Sequence, residues 1–139
     1  MFVLDTNHTV ELAYNSAAGQ RLRHRIQGRR AEVVTSAITL EEELRGWLAR
    51  ISRERTPASQ IAVYAKLLER VEFFSRWSVL SLDADSAARF ARFRADGIRI
   101  GTQDLKIACI VIAHDATLLT RNVSDFTKVP GLRLENWLD

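Results

Sequence analysis

With 139 residues, of which 47% are hydrophobic and 27% charged, the chain is sized for one compact core, and residues 1–139 are expected to form a single domain that needs no staples. Its one cysteine, Cys109, lies in the apolar run LKIACIVIA, which excludes a disulfide framework and points to a buried thiol in a reducing, cytoplasmic setting. No stretch approaches the roughly 18 apolar residues of a membrane span, and Asp5 breaks the short apolar start too early for a signal peptide.

Residues 1 to 4 form an apolar run that ends in Asp-Thr-Asn, which reads as a buried strand followed by a helix start. An arginine-rich helix is expected from about 17 to 28, closed by Gly28. The segment AEVVTSAI alternates into a second strand, and Thr39 is expected to cap a helix whose first turn holds Glu41, Glu42 and Glu43 and which runs past Trp47 and Leu48. Pro57 marks the next helix start, and Ile61, Tyr64, Leu67 or Leu68, Val71 and Phe74 recur at helical spacing, so this helix should bury that face.

WSVLSL is read as a third strand and DADSAARFARFRADG as an amphipathic helix stopped by Gly97. TQDLKIACIVIAHD is apolar nearly all round, as suits a helix packed in the interior. ATLLT and LRLENW supply the last two strands, joined by a loop that holds Asn122, Asp125, Pro130 and Gly131. Strands alternating with helices imply a mainly parallel sheet covered on both faces.

Four acidic residues then fall where separate segments turn from strand to helix or loop: Asp5, Glu42, Asp104 and Asp125. Ligands of an open parallel sheet gather at the carboxyl ends of its strands, where strand order reverses. Carboxylates gathered there repel one another and need a cation at neutral pH, and an all-oxygen donor set suits Mg²⁺ or Mn²⁺. Such an ion can activate a water and stabilise a leaving oxygen in phosphodiester cleavage. Taken singly, each of these acids is as readily a helix-start residue, and Asn7 and Asn122 as readily a cap and a turn residue, as parts of a site. Of the three histidines only His8 stands near Asp5, and none has metal-ligand spacing. No nucleophile elbow and no glycine-rich phosphate loop is present.

The net charge is only +3, yet all basic residues except Lys66, Lys106 and Lys128 are arginine. They cluster at 21 to 30, 45 to 55 and 89 to 99. Arginine forks match phosphate geometry, so these clusters beside a carboxylate site suit a polyanion, although charged helix faces are more often plain solvated surface.

In its order of motifs, MFVLDTN, SAITLEEELRG, IGTQDLKIACIVIAHDATLLTRNVSDF and VPGLRLENW, the whole chain resembles the PIN domain, and within it the VapC-like ribonuclease toxins of toxin–antitoxin pairs. The resemblance implies a three-layer α/β/α sandwich with a five-stranded, mainly parallel sheet, and Mg²⁺- or Mn²⁺-dependent cleavage of RNA. By position, it makes Asp5, Glu42, Asp104 and Asp125 the metal-binding and catalytic acids, with Thr6 and Asn7 beside them. Many relatives carry an acid where Asn122 stands, so the fourth ligand is either Asn122 or Asp125, or neither directly. Glu41 and Glu43 flank Glu42, and the alignment of Thr39 and Gly46 favours Glu42. An RNA substrate, a small antitoxin lying across a groove near the site, and a homodimer are also implied. Trp47, Phe73, Phe74 and Trp77 are candidates for that groove or dimer face. The competing readings are an RNA-processing nuclease with no toxin role, and a catalytically silent module that binds RNA or protein.

Overall fold

The computed structural model describes residues 1–139. In chain order the elements are β1 (Phe2–Leu4), α1 (Thr6–Ala13), α2 (Ala17–Gln27), β2 (Val33–Ser36), α3 (Ala37–Arg53), α4 (Pro57–Ser75), β3 (Val79–Leu80), α5 (Ala84–Ala95), α6 (Thr102–Ala113), β4 (Thr117–Leu119), α7 (Val123–Phe126) and β5 (Arg133–Glu135). All strands pair in parallel in the order β3-β2-β1-β4-β5. The chain builds outward from β1 on one side, then returns to lay β4 on the other, so strand order reverses between β1 and β4. That reversal opens a crevice at their carboxyl ends.

The period of two along each strand sorts the core into two layers. Val3, Val34 and Leu118 face α6 and the partly buried Phe90 and Phe93 of α5, while Leu4 and Leu119 face Leu12 of α1, Leu22 of α2 and the terminal Trp137 and Leu138. The result is the three-layer α/β/α sandwich expected, with a wholly parallel five-stranded sheet. In α6, every side chain from Ile107 to Val111 is fully buried, because the helix is enclosed by the sheet on one side and by neighbouring helices on the other. This accounts for its lack of a polar face.

Three expectations need correction. The connection between the last two strands, expected to be a loop, contains the short helix α7, so Asp125 stands on a helical turn that Asn122 precedes. Ser36, not Thr39, caps α3: its Oγ accepts the Thr39 N–H at 3.2 Å, and the helix starts at Ala37. Glu41, Glu42 and Glu43 therefore lie in the second turn, because β2 ends as soon as Ser36 becomes available as a cap.

Of the apolar face predicted to be buried on α4, only Phe74 is buried and Leu67 half-buried; the rest is the helix's outer face. Ile61 and Leu68 are 70% and 69% exposed, and Tyr64 and Val71 are also exposed. The helix buries Val63, Arg70 and Phe74, a face rotated from the predicted one. It packs on α3, whose Glu43 accepts two hydrogen bonds from Arg70 at 2.8 and 3.0 Å. The buried ion pair, rather than the longer apolar stripe, sets the roll of the helix.

Candidate active site

Leu4 is the last residue of β1, so Asp5 stands at the carboxyl end of the central strand, beside the strand-order reversal. Its carboxylate is divided between two partners. Oδ1 accepts the Thr6 N–H at 2.7 Å, capping α1, and Oδ2 accepts the hydroxyl of Thr120 at 2.7 Å. Thr120 directly follows β4, so this bond joins the two strands that flank the crevice. Burial holds the Asp5 carboxyl above the usual carboxylate range despite both bonds.

Glu42 reaches the same edge from α3, where its Oε2 accepts the Thr6 hydroxyl at 2.6 Å. Burial raises its pKa, and the neighbouring Asp5 and Glu41 charges add to the rise. Asp104, in the first turn of α6, is pushed up to about 6, first by burial and then by the charges of Asp5, Glu42 and Asp125. Asp5, Glu42 and Asp104 thus sense one another electrostatically, although they belong to three separate helices, α1, α3 and α6.

Asp125 behaves differently. It sits at the outer rim on α7, paired with Lys128 at 3.3 Å, and its pKa is lowered by the hydrogen bond from Asn122 and by Lys128. Asn122 links it to the inner group: its Nδ2 donates to Asp125 Oδ2 at 3.1 Å and to Asp104 Oδ2 at 3.2 Å. Its backbone N–H also donates to Thr120 Oγ1, at 3.0 Å.

The flanking glutamates point elsewhere. Glu41 accepts from Gln103 at 2.6 Å and pairs with Arg45, while Glu43 is buried against Arg70 and accepts the Thr9 hydroxyl at 2.8 Å. Gln103 was not singled out as an orienting group by sequence reasoning, and only its chain position beside Asp104 hinted at it.

His8 has a structural account. Its Nε2 accepts the Trp137 N–H at 3.2 Å, which leaves the proton on Nδ1, 2.9 Å from Asn7 Oδ1. Asn7 Oδ1 also accepts the Arg121 N–H at 3.2 Å. Asn7 therefore caps nothing; with His8 it ties α1 to the chain end and to the segment carrying Asn122. Burial, with the nearby Arg121 charge, pushes the His8 pKa down to about 4, so the ring is neutral and serves as a strut.

The candidate donors are all hard oxygens, with Cys109 enclosed in the core and its thiol pushed by burial up to about 11. As the side chains stand, no three of the acids converge to cage distance; Glu42 is held by the Thr6 hydroxyl, and the Asn122 amide lies between Asp104 and Asp125. Asp5, Glu42 and Asp104 have no ion-pair partner, and their mutual charge adds to the burial that raises Asp104. A hard divalent cation fits both the donor chemistry and this charge imbalance.

Two clefts flank the acidic edge. One, about 410 Å³, is lined by Thr6 and Glu42 and extends past Tyr14 and Trp47 to Arg50 and Arg53. The other, about 550 Å³, adjoins Asp125. Of the four aromatic residues expected to supply an apolar groove, only Trp47 lines the first cleft. Phe74 is buried edge-on against Phe73, whereas the half-buried Phe73 and Trp77 pack on each other and line a separate groove with Leu12 and Ile26.

Comparison with known proteins agrees with this architecture. A family model described as PIN domain matches residues 2–132. A tRNA(fMet)-specific endonuclease VapC of Salmonella typhimurium is 27% identical over 98% of this chain and 97% of its own. A ribonuclease VapC2 of Rickettsia felis is 38% identical, over 47% of this chain and 52% of its own length. The crystal structure of DNA-bound VapBC from Salmonella typhimurium superposes with a TM-score of 0.77 at 27% identity, covering 98% of this chain and 97% of that one. With the family model spanning residues 2–132, the chain belongs to the PIN-domain family.

Proposed function

We propose that this protein, as one domain over residues 1–139, is a metal-dependent endoribonuclease that hydrolyses RNA phosphodiester bonds and serves as the toxin of a toxin–antitoxin pair. The observation that carries the reading is the gathering of Asp5, Glu42 and Asp104 at the β1 and β4 ends, where burial, and then the charges of its neighbours, push Asp104 up to about 6. PIN-domain nucleases generally need a divalent metal; Mg²⁺ or Mn²⁺ is the ion proposed here, held by Asp5 and Asp104 with Glu42 and Asp125 completing the set. Once bound, the ion supplies Lewis-acid charge that makes water nucleophilic at neutral pH and stabilises the leaving oxygen.

The chain's own residues do the rest. Thr120 and the Thr6 N–H hold both oxygens of Asp5, the Thr6 hydroxyl orients Glu42, and Asn122 holds Asp104 and Asp125 in register. The cleft past Tyr14 and Trp47 supports an antitoxin segment beside the site, and the exposed stripe of α4 supports a homodimer, which sedimentation of the purified protein would read. The test of activity is cleavage of a mixed RNA pool with Mg²⁺, Mn²⁺ or EDTA. Discrete cuts that disappear with EDTA are expected, and a folded, antitoxin-free protein that cuts nothing with either ion would overturn the reading.

Metal binding should also be visible in stability. A carboxyl raised to about 6 favours its neutral form in the metal-free fold, so its contribution is complete below pH ~4 and is lost as pH rises through 6. His8, lowered to about 4, works in the opposite sense: its contribution is present above pH ~6.5 and is lost as pH falls towards 4. The bare melting curve mixes the two, so the shift caused by Mn²⁺ is the readout. Saturating Mn²⁺ is expected to raise Tm more at about pH 7.5 than at about pH 5, where protons compete for Asp104. Equal shifts at both pH values would rule out Asp104 as a ligand.

A further inference from the structure

Only one of the three arginine clusters borders the Asp125 side of the site. The chain between α5 and α6, residues 96 to 101, forms one wall of the 550 Å³ cleft, and Asp125 and Lys128 form the other. Arg94 braces that wall from behind: Nη1 and Nη2 donate to the carbonyls of Ile98 and Ile100, each at 2.9 Å, and no carboxylate pairs with it. Arg99 is exposed and makes neither a hydrogen bond nor an ion pair. Lys128 is the third cation, and the only carboxylate lining the cleft, Asp125, already pairs with it. An ideal Cβ on Gly101 would meet nothing within 4 Å, so the wall here is bare backbone with open space before it.

We propose that this cleft is an RNA-backbone subsite, in which Arg99 and Lys128 grip the phosphates next to the one that is cut. The proposal rests on the nuclease reading above and names where that substrate lies. The volume falls in the range of roughly 300–1,000 Å³ that suits nucleotide-sized groups. Three cations against one carboxylate make the cleft a positive counterpart to the negative edge it adjoins. A polyanion laid through it meets attraction on either side of the carboxylates, which would repel it unaided. The glycine wall lets a sugar-phosphate chain approach the backbone closely. Arg94 is fixed and serves as a positioning residue, whereas Arg99 is free to reach.

The test is binding of fluorescein-labelled oligouridine RNA by anisotropy in EDTA, across about 50 to 200 mM KCl. Arg99→Ala removes a side chain with no structural partner, and Gly101→Phe fills the cleft at a φ of −54° that any residue adopts. Arg30→Ala, exposed in the loop before β2 at the opposite end of the sheet, is the control. Arg99→Ala should weaken binding roughly three- to tenfold and flatten the salt slope by about 0.7, one single-strand phosphate contact. Gly101→Phe should weaken it at least as much, and the control should bind as the wild type does.

Wild-type binding and slope in both cleft variants would overturn the proposal, as would an equal loss in Arg30→Ala or a wild type that does not bind oligouridine at about 50 mM KCl. Cleavage by the wild type with Mn²⁺, measured alongside, reports the nuclease reading separately. A wild type that cuts while both variants bind normally removes the subsite alone. A wild type that binds through the cleft but cuts a mixed RNA pool with neither Mg²⁺ nor Mn²⁺ removes the nuclease reading and, with it, the placement of the cleft beside a cut phosphate.

Discussion

Asp104→Asn is expected to lower RNA cleavage by about 10²–10⁴-fold, the equivalent of the several kcal/mol a metal site contributes to charge stabilisation. The same change should make the metal-free protein slightly more stable. Asparagine keeps the shape and an oxygen to accept the Asn122 amide, but removes a charge that Asp5, Glu42 and Asp125 all oppose. The side chain is only half buried, so solvent screens much of that repulsion and the gain is about 1 kcal/mol or less, a rise in Tm of a few degrees. Opposite signs for activity and stability mark a functional carboxylate. A variant that loses both together, in a cleavage assay and a thermal melt, would make Asp104 a structural residue and sink its proposed role.

Arg70→Met should cost about 3–5 kcal/mol, since it leaves the Glu43 carboxylate buried without its partner. Both side chains are almost wholly enclosed, at 8% and 4% exposure, so little solvent is available to compensate. Arg70 also donates to the Thr9 carbonyl at 3.3 Å and lies over the Phe73 ring at 4.3 Å, contacts that methionine cannot reproduce in full. A fall in Tm of about 10 °C or more is expected. Adding Glu43→Leu should recover most of it, because removing both charges is far less costly than stranding one, and Thr9 keeps its bond to the Thr6 carbonyl. The pair matters for function through geometry: by holding α3 against α4 it fixes the roll that turns the preceding residue, Glu42, to the Thr6 hydroxyl. A Tm within about 2 °C of wild type in Arg70→Met would show that the pair is not what holds the two helices together.

The amino-acid sequence by itself determined most of the element types, their order and the parallel sandwich, but the four-residue helix α7 read as part of a loop. The apolar run before Asp5, the continuous burial pattern of α6 and the strand–helix alternation are local records of solvent exposure, readable within a dozen residues. It also pointed to Asp5, Glu42 and Asp104, because the carboxyl end of a parallel strand is a fixed place in this class of fold. Tertiary structure alone decided which way α4 faces. Its sequence carries two faces with apolar residues, and the choice between them depends on Glu43, which lies 27 residues before Arg70. The division of labour among three consecutive glutamates was likewise settled by Gln103, Thr6 and Arg70, none of them near in sequence. So were the Thr120 hydroxyl on Asp5 and the His8 strut to Trp137, contacts spanning 115 and 129 residues. Periodicity records only whether a position is shielded from water; which partner does the shielding is a property of the packed fold, because hydrogen bonds and ion pairs are short-ranged in space and unrestricted in sequence.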